Sequence, residues 1–331
     1  MQILTVSPSP HVRSGMTTQK IMGLVLLALL PAAISGVIVF GLRALLLMLF
    51  CVAVCLATEA VCQKLMKKPI TITDGSAALT GLLLALNLPA TLPFWQAAIG
   101  CIFAIAVVKQ LFGGLGCNFA NPAITGRVFL LLSFAGDMTT WVKPFYYQGL
   151  SLGNMLSSSA GSLNLDAVTS ATPLVSGDAS LTALFLGNVG GCIGETSALA
   201  LLLGGLFLIF TRIISPSTPV AYLGSLGILT FFYTLATGGD WTAVPYALLS
   251  GGVMMGAFFM ATDYVTTPIT TKGKWIFGIG CGILTFVIRE FASMPEGCSF
   301  SILLMNLLTP YIDKLTMTKP LGAKKAKKEE A

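Results

Sequence analysis

Uninterrupted apolar runs recur from end to end of this chain, the first two at 20–40 and 43–63 with only Gly41 and Leu42 between them. A run of about 18 or more such residues, wound as a helix, crosses the roughly 30 Å of hydrocarbon in a bilayer. Inside that hydrocarbon every backbone N–H and C=O must be bonded within the protein, which leaves helices or closed barrels. The runs lack the in-out alternation of a barrel strand, so helices are expected. Composition agrees: 55% of residues are hydrophobic and 10% charged, against about 25% charged in soluble domains.

Breakers between the runs predict an all-α polytopic membrane protein of about ten transmembrane helices, some broken or re-entrant. The expected spans are 20–40, 43–63, 75–89, 94–113, 119–135, 196–214, 219–237, 243–262, 274–292 and 297–313. They divide the chain into an N-terminal segment (1–19), five helices (20–135), a long polar loop (136–195), five more helices (196–313) and a basic tail (314–331). The third span is short and ends at "NLPATLP", and "LTALFLGNVGGCIGE" (181–195) reads as a re-entrant half-helix. The first twenty residues are polar and precede a full-length span, so the first helix is expected to be retained and not cleaved.

Lys and Arg are retained on the cytoplasmic side of a membrane. With the N-terminus inside, all of the 19 basic residues except Arg43, Lys143 and Arg289 fall on that side. Both termini are then cytoplasmic, and the 136–195 loop lies outside. The tail "KKAKKEEA" suits a solvated anchor near anionic lipid. No aromatic residue interleaves its lysines, so nucleic acid is not the expected partner. A faint internal echo pairs "GSAALTGLLLAL" with "GSLGILTFFYTL" and "NPAITGRV" with "TTPITTKG", relating spans 3–5 to spans 7–9.

Charge inside a membrane is costly and asks for a reason. Glu59, within "CLATEAVCQK", lies near the cytoplasmic end of the second span. Glu195 reads as a first-turn carboxylate at a helix N-terminus, where free amides and the helix dipole favour it. "GGLGCNFANPAITGR" crowds Asn118, Asn121, Thr125 and Arg127 onto the cytoplasmic side. Its two asparagines, three apart, can bond the imide and ring nitrogens of a heterocycle; equally, Asn121-Pro122 is a good N-cap and first helical residue. "FMATDYVTTPITTKGKW" brings Asp263 to the same side, as a cation or proton ligand, a partner for Arg127 or an interfacial residue.

The only histidine is His11, in the N-terminal segment, and no nucleophilic triad can be assembled within the membrane. Neither a phosphate-binding glycine loop nor a dinucleotide fingerprint is present. The eight cysteines fall mostly in apolar runs with no Cys-x-x-Cys pair and no Cys/His cluster, so packing is expected, not metal ligation.

"DAVTSATPL" (166–174) sits in the outer loop as a polar turn: Asp166 can cap, Thr169 and Ser170 can bond local backbone, and Pro173 keeps Thr172 out of the helical region. The pattern, with Asp166, Thr169, Ser170, Ala171 and Thr172 in order, resembles the site at which a flavin transferase joins FMN to threonine through a phosphoester. That site occurs in the D subunit of Rnf complexes and in the related B subunit of the Na+-translocating NADH:quinone oxidoreductase. "SPSPHVRSGMTTQKIM", "TDGSAALTGLLLALNLP", "NPA" and "GNVGGCIGETSALALLLGG" are similar to further signatures of the family, so the resemblance runs along nearly the whole chain. An extended N-terminal region typical of the quinone-reductase subunit is not seen, which favours the Rnf type.

The resemblance implies an electron carrier in an ion pump of the bacterial inner membrane, passing electrons between ferredoxin and NAD+. Thr172 would carry covalent FMN on the outer face, close to the FMN-bearing G subunit, in company with the A, B, C and E subunits. The quinone-reductase relative also holds non-covalent riboflavin toward the cytoplasm; Asn118, Asn121 and Asp263 are the candidate ligands here, and Glu59 the candidate member of an ion path. A phosphoester leaves the isoalloxazine ring unaltered, so no catalytic residues of the protein's own are required. A solute channel or secondary transporter is the alternative from another class.

Overall fold

The computed structural model describes residues 15–148, 179–292 and 297–317. Their regular structure is helical, with no β-strand among the described residues. Helix α1 (Thr18–Phe40) starts where the Thr17 hydroxyl accepts from the Lys20 amide at 3.3 Å. It ends at Gly41, whose φ of 77° turns the chain directly into α2 (Leu42–Leu65). A side chain at Gly41 would meet the Tyr147 ring at 2.8 Å, and the Tyr147 hydroxyl donates to the Ile38 carbonyl at 2.7 Å. The start of the long loop is thereby fastened over the α1–α2 corner.

Next come α3 (Ser76–Leu86), α4 (Phe94–Ile102) and α5 (Pro122–Ser133). Helix α4 continues without a break into a π-helical stretch, Phe103–Gln110, in which the Leu111 amide bonds back five residues to the Ala106 carbonyl at 3.0 Å. A four-residue helix, α6 (Ala135–Met138), leads out to the loop. Beyond it lie α7 (Leu181–Leu186), α8 (Ala198–Phe210), α9 (Ser217–Thr237), α10 (Ala243–Leu249), α11 (Val253–Met255), α12 (Thr271–Phe291) and α13 (Gly297–Thr316). Helix α11 also runs into a π-helical stretch, Gly256–Met260.

Four helices, α1, α2, α9 and α12, are long and apolar enough to cross a membrane. Helices α10 and α11 with its π extension form a fifth such segment bent by 62° at Ser250–Gly252. Arg289 explains how the bend is tolerated: its guanidinium donates to the carbonyls of Ala247 at 2.7 Å and Ser250 at 3.0 Å, acceptors that the interrupted helix leaves open. Arg43 does the same on the first half, holding the Ala90 and Leu92 carbonyls of the segment between α3 and α4 at 3.0 and 3.2 Å while lying over the Phe94 ring.

Small residues set the close helix contacts. A Cβ on Gly204 of α8 would fall 2.1 Å from the Ala28 carbonyl oxygen of α1, and one on Gly81 of α3 would fall 2.8 Å from the Val52 Cα of α2. With little hydrophobic gain between helices in lipid, such backbone proximity is what dispersion needs. Helices α2, α3 and α4 pack together, as do α9, α12 and α13, and the α1–α8 and α5–α13 contacts join the two groups.

Two expectations need refinement. Residues 181–195 contain only the six-residue α7, followed by irregular backbone, and so form no half-helix that leads into α8. The internal echo is not matched in detail. In both groups a π stretch leads through a polar turn into a capped helix, but the caps, Asn121 of α5 and Thr270 of α12, do not fall at paired positions of the two segments. The other pairing fails in length, since α3 has 11 residues and α9 has 21.

Candidate functional site

Asn118, Asn121 and Asp263 line one pocket, at the end of the bundle where α1 begins. It is a cleft with an open mouth. Ile21, Val25, Leu79, Leu83, Leu208, Ile214 and Phe259 make apolar walls, and Ser76, Thr80, Lys109 and Thr262 add polar atoms. Both π-helical stretches reach it, one through Lys109 and the other through Phe258 and Phe259.

The three candidates differ in what they have left to offer. Asn121 Oδ1 accepts from the amides of Ala123 at 3.0 Å and Ile124 at 3.5 Å, and Nδ2 donates to the Met260 carbonyl at 3.3 Å. It is therefore the N-cap of α5 and the tie to the second π stretch. Asn306, with its amide turned to suit both neighbours, donates to the Thr266 carbonyl and accepts from the Asn121 amide, each at 3.2 Å. Asn118 Oδ1 is buried with no hydrogen-bond partner, an acceptor that a ligand N–H would complete. Asp263 accepts from the Thr266 hydroxyl at 3.1 Å. Burial pushes its carboxyl above the ordinary range, a rise partly offset by the Thr266 hydroxyl and the amides of Val265 and Tyr264.

Glu59 adjoins this pocket and is not a bare carboxylate. Lys109 Nζ lies 2.8 and 2.9 Å from its two oxygens and 2.6 Å from Ser76 Oγ, and both charged side chains are 1% exposed. Gln110 Nε2 at 2.8 Å and Gln63 Nε2 at 3.2 Å also donate to Glu59 Oε1. The π turn lets the neighbours Lys109 and Gln110 both reach one carboxylate. Gln63 is bonded in turn to Thr71, at 2.8 and 2.9 Å, on the exposed surface.

A second buried pair lies deeper. Arg127 NH1 is 3.3 Å from Glu195 Oε1, 3.1 Å from Asn87 Oδ1 and 2.9 Å from Ser299 Oγ. Asn87 ends α3, so the guanidinium stands at a helix C-terminus, while Glu195 precedes the N-terminus of α8; each charge faces the dipole end that favours it. The capping role expected of Glu195 belongs to Ser197, which accepts from the Ala200 amide at 3.3 Å. The partner of Arg127 is thus Glu195, leaving Asp263 to its own turn. Backbone bonds from Gly194 to Leu86 at 2.7 Å and from Ile193 to Leu88 at 3.1 Å stitch the two breaks together.

Lys109, Asn87 and Ser299 emerge as site residues only in the three-dimensional arrangement. Of the three, Lys109 alone has a signal in the sequence, a lysine within an apolar span. None of the eight cysteines forms a disulfide, and no group of three His, Cys, Asp or Glu suited to a metal occurs among the described residues. Asp166, Thr169, Ser170, Ala171 and Thr172 lie outside the described residues.

Comparison with known proteins bears on the whole chain. It is 49% identical to the D subunit of the Na+-translocating ferredoxin:NAD+ oxidoreductase complex of Acetobacterium woodii, over 98% of each chain. To the D subunit of the proton-translocating ferredoxin:NAD+ oxidoreductase complex of Clostridium ljungdahlii it is 45% identical, over 98% of this chain and 97% of the relative. A third relative, the D subunit of the ion-translocating oxidoreductase complex of Stutzerimonas stutzeri, is 40% identical over 92% of each. The sequence profile of one family matches residues 5–322, and the chain accordingly belongs to the NQR2, RnfD, RnfE family.

Proposed function

We propose that the chain is the membrane-embedded electron-transfer subunit of an ion-translocating ferredoxin:NAD+ oxidoreductase complex, with FMN on Thr172 and riboflavin in the pocket of Asn118 and Asp263. Near-full-length similarity to relatives named as the D subunits of such complexes supports the assignment to the complex. The single observation that carries the riboflavin reading is the buried, unpartnered Asn118 oxygen in a pocket with apolar walls. Lys109, the one cation lining that pocket among the described residues, is paired with Glu59, and a neutral flavin leaves that pair in place. Bound there, a flavin supplies one- and two-electron chemistry; the chain's own residues bind, orient and exclude water.

For Thr172 the support is the 166–172 motif, together with an outward placement that follows from the distribution of Lys and Arg. Ten membrane segments fit this reading: four full spans, the bent one, four short apolar helices (α3, α4 with its π extension, α5 and α8) and α13. Both termini and the pocket then face the cytoplasm. The A, B, C and E subunits, and especially the FMN-bearing G subunit, are the expected neighbours, with a flavin transferase for maturation and lipid around the bundle. The first two relatives described above differ in the ion named, Na+ in one and the proton in the other.

Mass spectrometry tests the proposal directly. Protein from cells that also express the flavin transferase is expected to carry an FMN adduct on the peptide with Thr172, absent in Thr172→Ala, and to release riboflavin on denaturation. An adduct that survives Thr172→Ala overturns the attachment site. A protein without flavin that alone moves a solute across vesicles favours the channel reading, and one that assembles into a quinone-reducing complex favours the B-type reading.

A further inference from the structure

Three buried polar clusters stand out beyond the flavin ligands: the Glu59–Lys109 group, the Arg127–Glu195 group and a knot of hydroxyls at Tyr222, Thr285 and Ser301. The last two are closed on themselves or on helix ends. The first is open toward the pocket, because Lys109 and Ser76 are both lining residues. We propose that Lys109 is a shared counter-charge, which covers Glu59 while the pocket is neutral and turns toward the pocket when negative charge arrives there.

The donor geometry makes the exchange feasible. All three ammonium hydrogens are taken, two by Glu59 and one by Ser76, and the Ser76 bond already points the group at the pocket side. When Lys109 turns, Glu59 Oε1 keeps Gln110 and Gln63 as donors, while Oε2, whose bond is to Lys109, is left open to the incoming cation. That charge then draws one positive charge, a proton or a monovalent cation, from the side where Gln63 meets the exposed Thr71. The charges balance: one electron supplied to a ligand in the pocket by the complex's other carriers would be matched there by the Lys109 ammonium, and the vacated place at Glu59 by one cation or by one proton bound to a carboxylate oxygen. In a site shielded from water, attraction between unit charges a few ångströms apart is well above thermal energy.

The inference rests on the pocket holding a redox-active flavin, and its test uses riboflavin with the purified full chain. Binding is measured with oxidised and chemically reduced riboflavin, and the ratio of the two affinities gives the preference of the site for the reduced form. Lys109→Gln is expected to lower that preference by at least about tenfold. A redox-difference infrared spectrum of the wild type is expected to contain a carboxylate band that Glu59→Gln removes, with sodium and pH titrations distinguishing which cation replaces the ammonium. Binding that depends on Asn118 but shows an unchanged preference in Lys109→Gln, or a carboxylate band that persists in Glu59→Gln, overturns the proposal alone. Should Lys109→Gln not fold, the infrared comparison decides by itself. A wild type that binds no riboflavin, or binds it equally after Asn118→Leu, removes the pocket reading and this inference with it.

Discussion

At the scale of single residues, cost follows from who is left behind. Lys109→Met strands the Glu59 carboxylate in a site where both partners are 1% exposed, and breaking a buried pair in this way costs about 3–5 kcal/mol. The double variant Glu59→Gln/Lys109→Met is expected to recover most of that loss, as thermal unfolding in detergent will show. Asp263 behaves in the opposite sense. Its carboxyl is raised by burial, so the folded state holds its proton more tightly than the unfolded chain; stability falls as pH rises from the ordinary carboxylate value through the raised one, and the penalty is complete above it. Asp263→Asn should therefore melt higher than the wild type at neutral pH and lose the advantage in acid. Glu59 was legible in the sequence because a carboxylate in an apolar run demands an explanation. Lys109 was not, since a lysine near a span end is ordinarily read as reaching for the interface, and its partner is 50 residues away.

At the scale of elements, the breaks matter more than the helices. Helices α3 and α8 end and begin against each other, with Asn87, Arg127 and Glu195 between them. Gly252 closes over this join: a Cβ there would stand 2.6 Å from Glu195 Oε1. Gly252→Ala is expected to cost about 1–3 kcal/mol by overpacking, and to cost clearly less in a Glu195→Ala background, a non-additivity that a double-mutant cycle reads. Gly204→Val should separate α8 from α1 and lower the yield of folded protein in detergent, given the 2.1 Å approach to the Ala28 carbonyl. Hydropathy located these helices to within a few residues because burial in lipid depends on composition over a whole span. It could not show the bend at Ser250–Gly252 or the π stretches, which depend on hydrogen-bond register and on partners such as Arg289.

For the molecule as a whole, orientation rests on charge, and the structure sharpens which charges count. Lys109, Arg127, Arg43 and Arg289 are tied to carboxylates or carbonyls within the bundle, so the asymmetry is carried by the loops and tail. Cys117 is exposed beside the pocket-side turn, whereas Cys51, Cys55, Cys101, Cys192, Cys281 and Cys298 are buried. A membrane-impermeant maleimide should therefore label Cys117 in inverted vesicles and spare it in intact cells; the converse result reverses the topology. The site was half legible at this scale: the asparagine and aspartate motifs do share one pocket, while the ammonium beside them comes from a span that composition marks only as apolar. The wide turn at Phe103–Gln110 also has a hereditary side. Losing one codon inside a membrane helix ordinarily rotates everything beyond it, but a π turn already holds a residue more than an α turn. A single deletion among Ala104–Val107 should thus leave a regular helix and a folded protein while drawing Lys109 and Gln110 apart from Glu59, so that this lineage can lose the charge pair without losing the fold.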